Sequence, residues 1–170
     1  MLRYLIAAFF CAFTVTAHSQ QSDTEALRRM NDVLYGPLKQ IEYFGFIHVH
    51  IKNSGEQTLG MSSEDLTDFL KLRYMNNFAN VAYRKEGNIL GVQNMDRIGS
   101  LWCGVWTVGT DFPVAYHVEC NCGSLSKPTT LTDEVLGYGN KTNVPESIRQ
   151  ALDSMVSKFA IQFFKTRREM

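Results

Sequence analysis

From Pro145 onward the chain carries Ile148, Ala151, Leu152, Met155, Val156, Phe159, Ala160, Phe163 and Phe164 at intervals of three and four residues. That period puts them on one stripe of an α-helix. Each larger side chain is worth about 1.5 to 3 kcal/mol when buried, so the stripe must lie against something. Pro145 suits the first helical position, and Lys165, Arg167 and Arg168 place positive charge in the last turn, where the helix dipole favours it.

The segments before it read as the layer this helix covers. Ile41 to Lys52 alternates, with Ile41, Tyr43, Ile47, Val49 and Ile51 on one side and Glu42, Phe44, Phe46, His48, His50 and Lys52 on the other. Gly45 is a candidate bulge. Leu101 to Val108 and Val114 to Cys122 form two strand-like runs joined by Gly109, Thr110, Asp111, Phe112 and Pro113, a composition suited to a hairpin turn. Leu131 to Tyr138 reads as a further strand and Val81 to Arg84 as a short edge strand. Ser62 or Ser63 caps a second helix carrying Leu66, Phe69, Leu70, Tyr74 and Phe78. Asp23 caps a short N-terminal helix with Leu27, Met30 and Leu34 on one side, ended by Gly36-Pro37; a loose arm is the alternative. The expected fold is α+β: a two-layer sandwich, mainly antiparallel, with helices packed on one face of the sheet.

Met1 to Ser19 has the pattern of a secretory signal, with Arg3, an apolar run from Leu5 to Val15 and small residues at Ala17 and Ser19. Residues 20–170 are then expected to form one exported domain without a transmembrane helix. The chain balances 17 Lys+Arg against 17 Asp+Glu, which argues against nucleic acid as a partner. Asn140-Lys141-Thr142 is a glycosylation acceptor pattern that matters only in a eukaryotic secretory path. The short domain, without a dense cysteine framework, favours the periplasm.

A four-residue turn over Thr110 to Pro113 places Cys103 opposite Cys120 and predicts a disulfide between them; a bulge would transfer the pairing to Cys122. A metal or redox site at Cys120-Asn121-Cys122 has no supporting ligand spacing, and buried thiols are the plainer alternative. The same alternation turns Leu101, Cys103, Val105, Val114, Tyr116 and Val118 to one side and Trp102 and Trp106 to the other. If helices cover the first side, the second presents Phe44, Phe46, Trp102 and Trp106, a candidate docking face for another protein. The rival reading is that Lys85 to Gly99, or the N-terminal arm, covers these rings. His48, His50, His117 and Glu119 share the aromatic side and form a candidate metal quartet if their strands are neighbours; a solvated polar face is the alternative.

Recognised catalytic signatures are absent: the sequence has no phosphate-binding loop with Lys, no Gly-x-Ser-x-Gly elbow and no His-Glu-x-x-His pair. The run Leu101-Trp102-Cys103-Gly104-Val105-Trp106-Thr107-Val108-Gly109-Thr110, with Pro113 to Cys120, resembles small exported bacterial proteins, among them the small non-catalytic subunit of quinohaemoprotein alcohol dehydrogenases. The resemblance implies a periplasmic accessory subunit, not itself an enzyme, with no cofactor of its own and a larger membrane-associated protein as partner. The alternative expectation is a periplasmic metal- or ligand-binding protein using the His/Glu set.

Overall fold

In the computed structural model the C-terminal stripe lies against a five-stranded sheet, and the two define the layers of an α+β sandwich. The structure describes residues 25–52, 59–85, 93–109 and 112–168. The strands are β1 (Tyr43–Lys52), β2 (Ala82–Tyr83), β3 (Ile98–Val108), β4 (Val114–Ser124) and β5 (Lys127–Gly139), and the two helices packed on them are α1 (Ser63–Asn77) and α2 (Val144–Arg168). The strand order is β2-β1-β3-β4-β5. The long ladders β3 to β4 and β4 to β5 are antiparallel, while β1 runs parallel to both β2 and β3. Parallel neighbours need a crossover, and α1 supplies it between β1 and β2.

The chain divides into two compact units, residues 1–36 and 37–170. The sandwich belongs to the second. In the first unit residues 25–36 are helical, with an Arg29–Glu25 ion pair of 2.8 Å, and Leu27, Met30 and Leu34 are exposed. Helical structure continues through Gly36-Pro37 to residue 40, where a stop was expected. The secretory signal assigned to residues 1–19 lies outside the described residues.

Helix α1 begins as its sequence predicts: the Ser62 hydroxyl accepts from the Asp65 N–H at 3.0 Å, and Glu64 and Asp65 occupy the first turn. The helix packs on β1 and against α2, which lies over β4 and β5. Beyond Phe44, β1 extends past the short β2, and α1 covers part of that bare edge. Thr67 Oγ1 accepts from the Val49 N–H at 2.9 Å, and Ser63 Oγ from the Ile51 N–H at 3.1 Å. Two backbone donors that water or a strand would otherwise satisfy are thus paired within the domain.

The core between helices and sheet contains Ile148, Leu152, Met155, Val156, Phe159 and Phe163 from α2 and Leu66, Leu70 and Tyr74 from α1. Against them lie Ile47, Val49, Leu101, Val105 and Val118. Phe164, counted in the stripe from its spacing, is half-buried. The Tyr74 hydroxyl donates to the Val81 carbonyl at 2.7 Å, and burial pushes its phenol pKa well above the ordinary value.

Phe44 departs from the sequence reading. The register of β1 against β3 shifts between Phe44 and Phe46, so Gly45 is a bulge and parity changes across it. Phe44 therefore turns into the helix layer, is 0% exposed, and lies 5.0 Å from Tyr74, 5.3 Å from Phe78 and 6.0 Å from Phe163, centroid to centroid. Its ring occupies the space over Gly99, where a Cβ would meet the ring carbons at 2.8 Å. Phe44 is a core residue and does not belong to the proposed docking set. Phe44→Ala is expected to destabilise the fold by about 3–5 kcal/mol, measured by urea unfolding. A cost below about 1 kcal/mol would contradict this placement.

Candidate functional site

The other face of the sheet is built by the residues that alternate with the core. Because the strands keep register, its side chains fall into rows across β1, β3, β4 and β5. One row runs His48, Trp102, Asn121, Thr132; the next His50, Gly104, Glu119, Glu134; the next Lys52, Trp106, His117, Leu136. Neither α1 nor α2 packs on this face. Phe46, Trp102 and Trp106 are half-buried on it, as expected, whereas the buried Leu101, Cys103 and Val105 point to the helices.

Cys103 and Cys120 are directly opposed and joined by a disulfide on the helix side, the pairing predicted from the turn. Cys122 is a free, fully buried thiol whose pKa is pushed up to about 12 by burial, so its thiolate is scarce.

The indoles are not splayed into solvent. Both lean over Gly104: a Cβ there would lie 2.7 Å from Trp106 Cζ3 and 3.1 Å from Trp102 Cη2. An isolated glycine within a strand marks such a close approach, and its place between two tryptophans was the available signal. The Lys52 ammonium stands 4.6 Å from the Trp106 centroid and 5.6 Å from that of Trp102. From the β4 side the His117 imidazole stacks on Trp106 at 5.0 Å, with Nε2 3.2 Å from Glu134 Oε2.

Two carboxylates complete the face. Thr132 Oγ1 donates to Asn121 Oδ1 at 2.8 Å, and Asn121 Nδ2 donates to Glu119 Oε1 at 3.0 Å, so a short chain of hydrogen bonds orients Glu119 beside Gly104. Sequence reasoning found the two tryptophans and Glu119. It missed Lys52, although its parity matches His48 and His50, and missed Asn121, Thr132 and Glu134, whose places depend on the β4–β5 register.

The metal quartet is not assembled. His48 and His50 stand on β1, His117 and Glu119 on β4, and β3 lies between them. Two strand spacings separate the pairs by about 9.5 Å, with the indoles in the gap. Among the described residues no group of three or more His, Cys, Asp or Glu is placed to hold a metal ion. His48 and His50 stack instead at 6.5 Å, and Phe46 is 5.9 Å from His48.

Partial burial, with lesser contributions from His50 and Lys71, holds the His48 pKa below its ordinary value. The unfolded chain therefore binds this proton first as pH falls, so the His48 contribution is complete above about pH 6.5 and declines below it. Wild-type protein should show a lower urea midpoint at about pH 5.5 than at about pH 7.5, and His48→Gln should reduce that difference. Equal pH dependence in the two proteins would show that His48 is not the group responsible. No described helix is long and apolar enough to cross a membrane. No protein-family model, curated protein or solved structure matches the chain.

Proposed function

We propose that this protein is an exported, non-catalytic accessory subunit that docks on a larger periplasmic or membrane-associated protein through the open sheet face. The observation that carries the reading is the position of Trp102 and Trp106, half-buried with Phe46 on the face opposite the helices. Interfaces are enriched in Trp, Tyr and Phe at their centres, and few residues there carry most of the binding energy. Leu136 and Tyr138, 83% and 78% exposed, extend this apolar surface along β5. A disulfide inside the core fits an oxidising compartment and so supports export.

A balanced charge count and a face carrying Lys52 against Glu119 and Glu134 favour a protein surface over a polyanion. The resemblance of Leu101 to Thr110 to the small subunit of quinohaemoprotein alcohol dehydrogenases would make that dehydrogenase the partner. The reading assigns the chain no cofactor of its own.

Native purification from the source organism, followed by identification of proteins that co-elute in fixed ratio, tests this function. Trp102→Ala or Trp106→Ala should reduce partner recovery about tenfold or more, the scale of an interfacial aromatic anchor, while the domain stays folded by circular dichroism. Undiminished recovery with both folded variants would reject the docking face.

A further inference from the structure

We infer that the Trp102–Trp106 pair is a seat for a guanidinium group, that the partner inserts an arginine there, and that Lys52 occupies the seat in the unbound protein. This rests on the docking reading and specifies its anchor. The Lys52 ammonium lies within cation–π range of both indoles, at 4.6 and 5.6 Å. The platform already holds a cation, one supplied by its own chain. Lys52 is exposed at the end of β1, and among the described residues no carboxylate lies within ion-pair distance of its ammonium. Among the described residues its exchange for another cation therefore breaks only the indole contacts.

The surroundings favour an incoming guanidinium over the resident ammonium. The indoles lean together over Gly104, so their rings form a low floor with no side chain between them. Glu119 stands in the row of Gly104, oriented through Asn121 and Thr132, and Glu134 lies one strand further across. Displacing Lys52 leaves indole surface beside carboxylates, which complements a positive charge. A guanidinium is planar, stacks on aromatic faces and sheds water more readily than a primary ammonium, so it suits this floor better than Lys52 does. Its fork of N–H donors also matches a carboxylate such as Glu119.

The chain contains two tryptophans, both at the proposed seat, so intrinsic fluorescence reads the site directly. N-acetyl-arginine amide is titrated into the full-length protein at constant ionic strength, with the neutral isostere N-acetyl-citrulline amide as control. The arginine compound should give a saturable change at millimolar concentration. The citrulline compound should bind about two- to fivefold more weakly or not at all, the ratio an exposed cation–π contact supports. Lys52→Met, which removes the resident cation at an exposed position, should tighten the arginine compound by a similar factor, and Glu119→Gln should weaken it.

Equal response to both compounds, or no saturable response in either wild type or Lys52→Met, overturns the inference. If the tryptophan variants still lose the partner in that case, docking stands and only the cationic anchor fails. Saturable, charge-dependent binding alongside undiminished recovery of the partner would uphold the guanidinium seat as a small-cation site, and reject the partner's arginine as its occupant.

Discussion

Everything on the open face depends on the pairing of β3 with β4, in which Cys103 stands directly opposite Cys120. Side chains alternate along a strand with a period of two, so one register decides both surfaces together. In this register Leu101, Cys103, Val105, Val118 and Cys120 enter the layer beneath the helices, and Trp102, Trp106, His117, Glu119 and Asn121 stand on the other side. Moving β3 by one residue would bring the indoles under α2 and strip the core of its aliphatic contacts. The covalent link across the two strands opposes that slip, and β1 and β5 inherit the alignment from β3 and β4.

The two faces solve different packing problems. Beneath α1 and α2 the sheet presents aliphatic side chains and the Phe44 cluster, which lose water by contact with the helices. Neither α1 nor α2 performs that task on the open face. Its indoles reduce their own exposure by leaning over Gly104, and Lys52 and His117 cover part of Trp106 from either side. Thr132, Asn121 and Glu119 satisfy one another's polar groups in sequence, which holds a carboxylate next to an aromatic surface without burying it unpaired. Stacking within the face thus provides order where neither α1 nor α2 packs.

Local signals were legible where the decisive contacts are local. The stripe after Pro145 predicts α2, Ser62 predicts the start of α1, and the turn at Thr110 to Pro113 predicts the opposition of Cys103 and Cys120. Phe44 was misplaced for a different reason. Gly45 marks a bulge in sequence, but whether it changes parity depends on pairing with β3 and on the space over Gly99, both distant along the chain. The metal quartet failed on strand order: His50 and Glu119 do share a row, as their spacing allows, yet Gly104 of β3 separates them. No periodicity within β1 or β4 records which strand lies between them. The same long-range dependence hid Glu134 and Thr132, whose positions follow from β5 pairing with β4.

Charge on the open face bears on how the proposed recognition there would operate. The open face carries Lys52 together with Glu119 and Glu134, and the chain as a whole carries equal numbers of basic and acidic residues. A chain so nearly balanced gives little long-range steering, so on the docking proposal encounter with a partner would proceed at the ordinary rate for two proteins. On that proposal discrimination would come from contacts made after encounter, over a few ångströms, where an indole surface and an oriented carboxylate act strongly. Affinity in the proposed complex would then be governed by how slowly it separates, which on that proposal depends on burying Trp102 and Trp106 and on what displaces Lys52 from them. For the proposed docking, the near-neutral composition and the registered aromatic face would then be parts of one arrangement: weak attraction at a distance and selectivity at contact.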